Sequence, residues 1–119
     1  MINILLVDVG CVSPSALKEL GIEVTACSMQ DSICSDLCKN TDLAVVSSLS
    51  AYRRLKSLLN DIPVVFVASS RRSAKTAFKL GCIDFMLRSE VKDLLTKLAT
   101  YAKISNVQKT IEKLLDKPL

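Results

Sequence analysis

Four hydrophobic runs of the chain end in short stretches where side chains capable of chemistry are concentrated. These stretches are Asp8-Val9-Gly10, Ser47-Ser48, Ala68-Ser69-Ser70 and Leu87-Arg88. A carboxylate can bind a metal ion or act as a base, a serine hydroxyl can act as a nucleophile beside a base, and a guanidinium can bind a phosphate group. Such chemistry requires the four stretches to lie together, which depends on the strands and helices that position them.

The spacing of apolar residues predicts five short strands that alternate with helices. Strands are predicted at 2–9, 22–27, 43–47, 63–68 and 83–87, the second of them at a sheet edge because its apolar residues alternate. Helices are predicted at 14–20, 31–39, 50–59, 71–81 and 90–102, with Ser13 as an N-cap and Gly21 and Gly81 as terminators. This order predicts a parallel sheet covered by helices on both faces. In such folds the ligand site lies at the carboxyl ends of the strands, where the four stretches fall.

The last part of the chain changes its helical phase. Ile104, Val107, Ile111 and Leu114 form a stripe that is out of phase with the preceding one, and Ser105-Asn106-Val107-Gln108 has the spacing of a capping box. We therefore expect a break near Ser105 and a separate helix over 106–116, which divides the chain into a domain, 1–104, and a linker or dimerisation helix, 105–119. The stripe requires a covering surface, either the same domain, a second subunit or an absent C-terminal output domain.

Composition favours one ordered domain in the cytoplasm. The chain has 119 residues, of which 50% are hydrophobic, but no apolar run approaches the roughly 20 residues that cross a bilayer. Its N-terminus lacks the features of a signal peptide. Five cysteines and no histidine form a poor zinc or disulfide pattern, so we expect free, mostly buried cysteines and neither a metal nor a cofactor.

Charge is distributed unevenly along the chain. Residues 1–50 carry two basic and six acidic side chains, whereas residues 51–119 carry fourteen basic and six acidic ones. A basic second half suits an acidic protein, a nucleic acid or only water.

One part of the sequence resembles the receiver domain of bacterial response regulators. The Pro-Val-led strand at 62–67 is followed by a helix that ends in Leu80-Gly81-Cys82 and then by Asp84-Phe85-Met86. The order and spacing of these pieces carry the resemblance, which extends over about residues 2–102. It implies a CheY-like, flavodoxin-like α/β fold: a five-stranded parallel sheet of order 2-1-3-4-5 with helices on both faces, here with an extra C-terminal helix.

The chain departs from the receiver pattern at the phosphorylation pocket. Receivers have two adjacent acids after strand one, where this chain has Asp8 and Val9, and the phosphoacceptor Asp corresponds to Ser47. The hydroxyl residue of strand four falls on Ala68, or on Ser69 if the register slips by one, and the conserved Lys is replaced by Arg88. Asp8 is left either as a base for residual phosphate chemistry or, as we favour, as a loop residue. We expect a vestigial pocket, no enzymatic activity and no metal.

The resemblance implies that the remaining function is recognition. Receivers signal through the helix before strand five, strand five itself and the helix after it. On that face we place the following residues: Arg71, Arg72, Lys75, Lys79, Asp84, Phe85, Glu90 and Asp93. The basic helix and the acidic helix suit either a protein partner or a symmetric homodimer. The alternative is an ordinary solvated helix surface.

Two other functions are compatible with parts of the sequence. Residues 8–15, with Cys11, faintly resemble the phosphate loop of a IIB-like carrier of the phosphotransferase system, although Pro14 removes an amide donor. A nucleic-acid-binding regulator would use six clustered cations: Arg53, Arg54, Lys56, Arg71, Arg72 and Lys75. Two Tyr, three Phe and no Trp offer few aromatic rings on which bases could stack, which speaks against nucleic acid as a partner of this fragment.

Overall fold

The computed structural model describes residues 2–28, 40–58 and 61–115. Its centre is a parallel sheet of five strands in the order β2-β1-β3-β4-β5. The strands are β1 (Ile2–Val7), β2 (Ile22–Cys27), β3 (Leu43–Val46), β4 (Val64–Ala68) and β5 (Asp84–Leu87). The predicted fold class, strand order and edge position of β2 are thereby confirmed.

Four helices connect or follow the strands within the described part of the chain. They are α1 (Pro14–Glu19), α2 (Leu49–Leu58), α3 (Ala74–Lys79) and α4 (Val91–Leu115). Short 3-10 turns at Arg71–Ser73 and Arg88–Glu90 precede α3 and α4. The helix predicted over 31–39 lies outside the described residues, as do Cys34 and Cys38.

The sheet separates two hydrophobic cores, which explains why its central strands are apolar on both faces. On one face, Leu17 of α1 and Leu98 of α4 pack against β1 and β3. On the other face, Tyr52 and Leu55 of α2 and Ala77 of α3 do so. All four residues of β3 are buried, so this strand is held rigidly and its C-terminal end is fixed in place.

Several predicted boundaries need correction. The strand expected over 2–9 ends at Val7 because Asp8 adopts a left-handed conformation, with φ of 55°. The strand expected to reach Ser47 ends at Val46. Ser13 stands at the N-cap of α1 but its side chain makes no capping hydrogen bond.

The expected helix break near Ser105 is wrong, because α4 runs without interruption from Val91 to Leu115. Ser105 is buried inside this helix rather than capping a new one. The extension is held by Asp42, a buried carboxylate at the start of β3: it accepts a hydrogen bond from the Asn3 amide at 2.8 Å and from the Asn106 side chain at 3.4 Å. Lys109 Nζ lies 3.5 Å from the same carboxylate and donates to the Thr41 carbonyl at 2.6 Å. These contacts stabilise a continuous helix more than the capping box would stabilise a break.

Gly81 ends α3 as the sequence predicts. Its φ of 100° is unfavourable for residues with a Cβ atom, and a Cβ placed there would lie 3.5 Å from the Tyr52 hydroxyl. That hydroxyl donates to the Leu80 carbonyl at 2.8 Å, so the turn into β5 is tied to α2.

Among the described residues, no helix combines the length and the apolar character needed to cross a membrane.

Candidate functional site

The parallel register brings the four polar stretches to one edge of the sheet. Val7 pairs with Val46, Val46 with Phe66, and Ala68 with Leu87, so the residues that follow these strands lie beside one another. The ends of β3, β4 and β5 line a cleft of about 330 Å³, whereas Asp8, Val9 and Gly10 are not among its lining residues. Its lining is unusually rich in hydroxyl groups: Ser47, Ser48, Leu49, Ser50, Phe66, Ala68, Ser69, Ser70, Ser73 and Arg88.

Asp8 and Val9 directly follow β1, and their side chains lie in different environments. Asp8 is exposed, and its backbone amide donates to the Cys27 carbonyl at 3.0 Å. Val9 is only 8% exposed and belongs to the hydrophobic core beside Val12. The position that follows Asp8 is therefore an apolar packing position, and a second carboxylate there would be buried at a cost of several kcal/mol.

Ser47 lies next to Asp8 but is engaged with its backbone. The Ser47 hydroxyl donates to the Asp8 carbonyl at 2.9 Å. A backbone carbonyl cannot take the proton of a hydroxyl as a general base does, and the chain has no histidine to do so. In this arrangement Ser47 joins two strand ends instead of presenting a nucleophile.

The other side of the cleft carries hydroxyl groups and one cation. Ala68 is half-buried at the end of β4, and Ser69 is exposed directly after it. Arg88 is exposed at the start of the turn that leads into α4. The cleft is thus lined by a guanidinium and by serine hydroxyl groups. Phosphate chemistry with Mg²⁺ instead needs several convergent oxygen ligands, which are usually carboxylates.

No group of three or more His, Cys, Asp or Glu side chains within the described ranges could hold a metal ion. Asp8 is the one carboxylate at the end of β1, since Val9 is apolar and Ser47 is neutral. The donor set around the cleft therefore fits Mg²⁺ poorly.

Solved structures resemble this chain over nearly its whole length. The non-phosphorylated receiver domain of HemR from Leptospira biflexa superposes with a TM-score of 0.65 at 18% identity, covering 86% of this chain and 94% of that domain. A CheY-like receiver domain protein from Methanospirillum hungatei gives a TM-score of 0.67 at 15% identity, with 91% and 98% covered. The fold is that of receiver domains.

A longer protein also contains the same fold. NtrX from Brucella abortus matches with a TM-score of 0.68 at 19% identity, and the match covers 95% of this chain but only 29% of NtrX. The receiver fold therefore occurs both as a separate domain and as part of a larger chain among these neighbours. No family model and no curated protein matches the sequence.

Four cations of the expected interaction face are exposed around α3. Arg71 and Arg72 lie in the 3-10 turn before the helix, and Lys75 and Lys79 lie on the helix itself. The stretch from 62 to 83 contains no acidic residue. The turn and the helix therefore form one cationic surface, which we call the α3 cation surface (Arg71, Arg72, Lys75 and Lys79).

The acids expected on the same face are mostly used within the domain. Asp84 accepts a hydrogen bond from the Tyr101 hydroxyl at 2.7 Å and from the Phe85 amide at 2.8 Å. Glu90 is half-buried and accepts a hydrogen bond from the Leu87 amide at 3.4 Å. Asp93 is exposed. The face thus presents more available positive than negative charge.

Aromatic rings join the pocket side of the sheet to the α3 cation surface. Phe85 is half-buried and stacks on Phe66 with ring centroids 5.4 Å apart. Phe78 of α3 lies 6.5 Å from Phe85 and is 50% exposed. Phe78 is an exposed aromatic ring on the same helix as Lys75 and Lys79, and aromatic residues are enriched at protein interfaces.

The residues of the two alternative functions, a phosphate loop with Cys11 and a cluster of cations, lie in different surroundings. Cys11 is half-buried and packs against the hydrophobic core rather than standing in an open loop, and α1 begins directly at Pro14. Arg53 and Arg54 are exposed on α2, whereas Lys56 lies 5.8 Å from the ring centroid of Tyr52.

A second cleft, which the sequence did not indicate, lies at the opposite edge of the sheet. Its volume is about 640 Å³, and it separates the C-terminal part of α4 from the N-terminal ends of β4 and β5. Ile62, Pro63 and Ile83 contribute apolar surface, and Gln108 and Glu112 line the helix side. It arises because α4 continues past the edge of the sheet. The expected break at Ser105 did not predict this continuation.

Proposed function

We propose that this chain is a pseudo-receiver: a regulatory domain that acts by protein–protein contact and does not depend on phosphorylation. The observation that carries the proposal is the composition of the pocket, in which Ser47 replaces the acceptor and bonds to the Asp8 backbone while Val9 is buried in the core. A receiver scaffold with this pocket lacks both the nucleophile and the ligands for the ion that assists it.

The α3 cation surface supports contact as the remaining function. Four exposed cations lie on the turn and helix that also carry the half-exposed Phe78, and the acids Asp84 and Glu90 are engaged within the domain. A surface with this charge imbalance favours an acidic protein partner over pairing with its own copy through this face. A further domain of a longer protein is a second source of such a partner, since the matched region of NtrX is only 29% of that chain.

Incubation with acetyl phosphate and Mg²⁺ tests the first half of the proposal. We expect intact-mass spectrometry to show no added phosphoryl group, and the oligomeric state to remain the same with and without the donor. A phosphorylated species that forms in high yield and maps to Ser47 or Asp8 would contradict it.

Charge reversal tests the second half. Once a partner has been found by proximity labelling in the source cell, Lys75→Glu combined with Lys79→Glu should weaken its binding by about 10-fold or more, because a complementary surface becomes repulsive. Arg53→Glu combined with Arg54→Glu is the matched control, since it makes the same change of charge on α2. Equal losses in both variants would show a non-specific charge effect and would contradict the assigned face.

A further inference from the structure

The C-terminal part of α4 carries apolar residues that the domain does not cover. Ile104 is 50% exposed, Val107 56%, Ile111 49%, Leu114 62% and Leu115 78%. We call these five residues the α4 stripe. We propose that the α4 stripe pairs with the same stripe of a second copy of this chain, so that the two helices form a short parallel zipper.

The geometry of the helix excludes the chain's own core as the cover. Successive residues of an α-helix are rotated by about 100°, which places the stripe on the side opposite Ala102, Asn106 and Lys109. Those three residues face the domain: Ala102 is buried in the core, and Asn106 and Lys109 bind Asp42. The same contacts that hold the helix to the domain therefore hold the stripe outward.

The spacing and type of the stripe residues fit a two-stranded zipper. Ile104 and Ile111 are seven apart, as are Val107 and Leu114, which gives two heptads with Ile at each a position. A β-branched residue at a together with Leu at d favours two parallel strands, and here both a positions are Ile and one of the two d positions is Leu. This pattern speaks for a second copy rather than for a loop or a flat surface as the occupant.

Charge permits this pairing and also limits its length. In a parallel pair the flanking residues of the stripe, Lys103 and Gln108, meet across the interface and bring no like charges together. The a position before Ile104 holds Lys97, and the d position one heptad before Thr100 holds Asp93; both side chains are exposed, and pairing there would place each beside its own copy. The zipper is therefore confined to the part of α4 that begins at Ile104.

The area predicts a reversible dimer. If each of the five side chains loses on the order of 100 Å², two copies bury on the order of 1,000 Å² in total, the lower end of specific interfaces. We expect a concentration-dependent equilibrium in the micromolar range. This interface is separate from the α3 cation surface and does not rest on the proposed function.

Sedimentation velocity from micromolar to millimolar concentration tests the pairing. The wild-type chain should shift from monomer to dimer, and Ile111→Glu should raise the dissociation constant by at least about 100-fold, because two carboxylates would be buried together. Lys113→Glu is the matched control: Lys113 is exposed on the same helix but outside the stripe, and its change should alter the constant by less than about threefold. A wild-type chain that stays monomeric throughout, or a dimer that survives Ile111→Glu, would overturn the proposal.

Cross-linking tests the parallel orientation. Val107→Cys should form an intermolecular disulfide under mild oxidation much faster than the wild type or Lys113→Cys, since identical d positions adjoin only in a parallel pair. Equal cross-linking of the two variants would exclude the zipper. Circular dichroism of each variant separates loss of pairing from loss of fold. Neither result of the cross-linking test would change the expected outcome of the phosphodonor and partner-binding experiments.

Discussion

At the scale of single residues, two departures from the receiver pattern carry the proposal that this pocket does not accept phosphate. Val9 places an apolar side chain in the core where a metal-binding carboxylate would be needed, and Ser47 uses its hydroxyl to join β3 to the turn after β1. Neither change damages the fold, because Val9 adds buried apolar surface and Ser47 satisfies a carbonyl. On the proposed function, the scaffold is kept while the phosphate chemistry is lost.

Tyr101 offers a residue-level prediction that depends on pH. Its hydrogen bond to the Asp84 carboxylate, together with burial, raises the pKa of Tyr101 above its ordinary value of 10.0. The folded chain thus keeps a proton that the unfolded chain releases, so this contribution is complete below pH 10 and is lost as the pH rises through the folded-state pKa. Tyr101→Phe should cost about 1 kcal/mol at neutral pH and make the alkaline loss of stability shallower.

Urea unfolding of the wild type and Tyr101→Phe between neutral and alkaline pH measures this effect. Thr100→Ala is a suitable control, because Thr100 is an exposed neighbour whose hydroxyl bonds only within α4, to the Thr96 carbonyl. Identical pH profiles for the wild type and Tyr101→Phe would contradict the role given to the Asp84 bond.

Gly81 supports a second prediction. Gly81→Ala should reduce the free energy of unfolding by about 1 to 2 kcal/mol, because a side chain disfavours the φ of 100° found there. Gly10→Ala is the control, since a Cβ at Gly10 would meet no atom within 4 Å. Thermal unfolding of both variants measures the difference, and an equal or larger loss in Gly10→Ala would refute the argument.

At the scale of elements, local sequence predicts most of the strands and helices but not how α4 ends. The apolar runs of β3 and β4 are visible in the sequence because they are buried on both faces, and Gly21 and Gly81 mark helix ends because their positive φ suits glycine. The capping-box spacing at Ser105 competes with a contact from a residue 64 positions away, Asp42 to Asn106. A local pattern contains no information about such a contact.

The Asp42 network yields an element-level prediction. Asp42→Ala leaves the Asn3 amide without its acceptor and Lys109 without its ion pair, which should cost about 2 to 3 kcal/mol of global stability. It should also release the C-terminal part of α4. Amide hydrogen exchange over 104–115 should accelerate more than exchange in β1 and β3.

Lys113→Ala is the matched control for this release, because Lys113 is exposed on the same helix segment. Its exchange should remain close to that of the wild type. If Asp42→Ala accelerated exchange equally in all elements, the carboxylate would contribute to general stability without anchoring the extension.

At the scale of the whole molecule, the chain keeps the receiver architecture and distributes its potential contacts over separate surfaces. The α3 cation surface lies on the segment that connects β4 to β5 in the chain, while the α4 stripe lies on the outer side of the last helix. The sequence predicts the fold because the apolar runs and the residues that end them are local features, and it places Ser47, Ala68, Ser69 and Arg88 at the strand ends that line the cleft. It does not predict that Asp84 and Glu90 turn inward, because their partners, Tyr101 and the Leu87 amide, are set by packing.

The most direct test of the central claim is a titration of the isotope-labelled chain with Mg²⁺ and then with beryllofluoride, followed by NMR chemical shifts. A pocket with Asp8 as its single carboxylate at the end of β1, beside Ser47, should show no saturable shifts at Asp8, Ser47, Ser69 or Arg88 at millimolar ion concentrations. Saturable shifts at these residues that require both Mg²⁺ and beryllofluoride would show a working phosphoryl pocket and contradict the account.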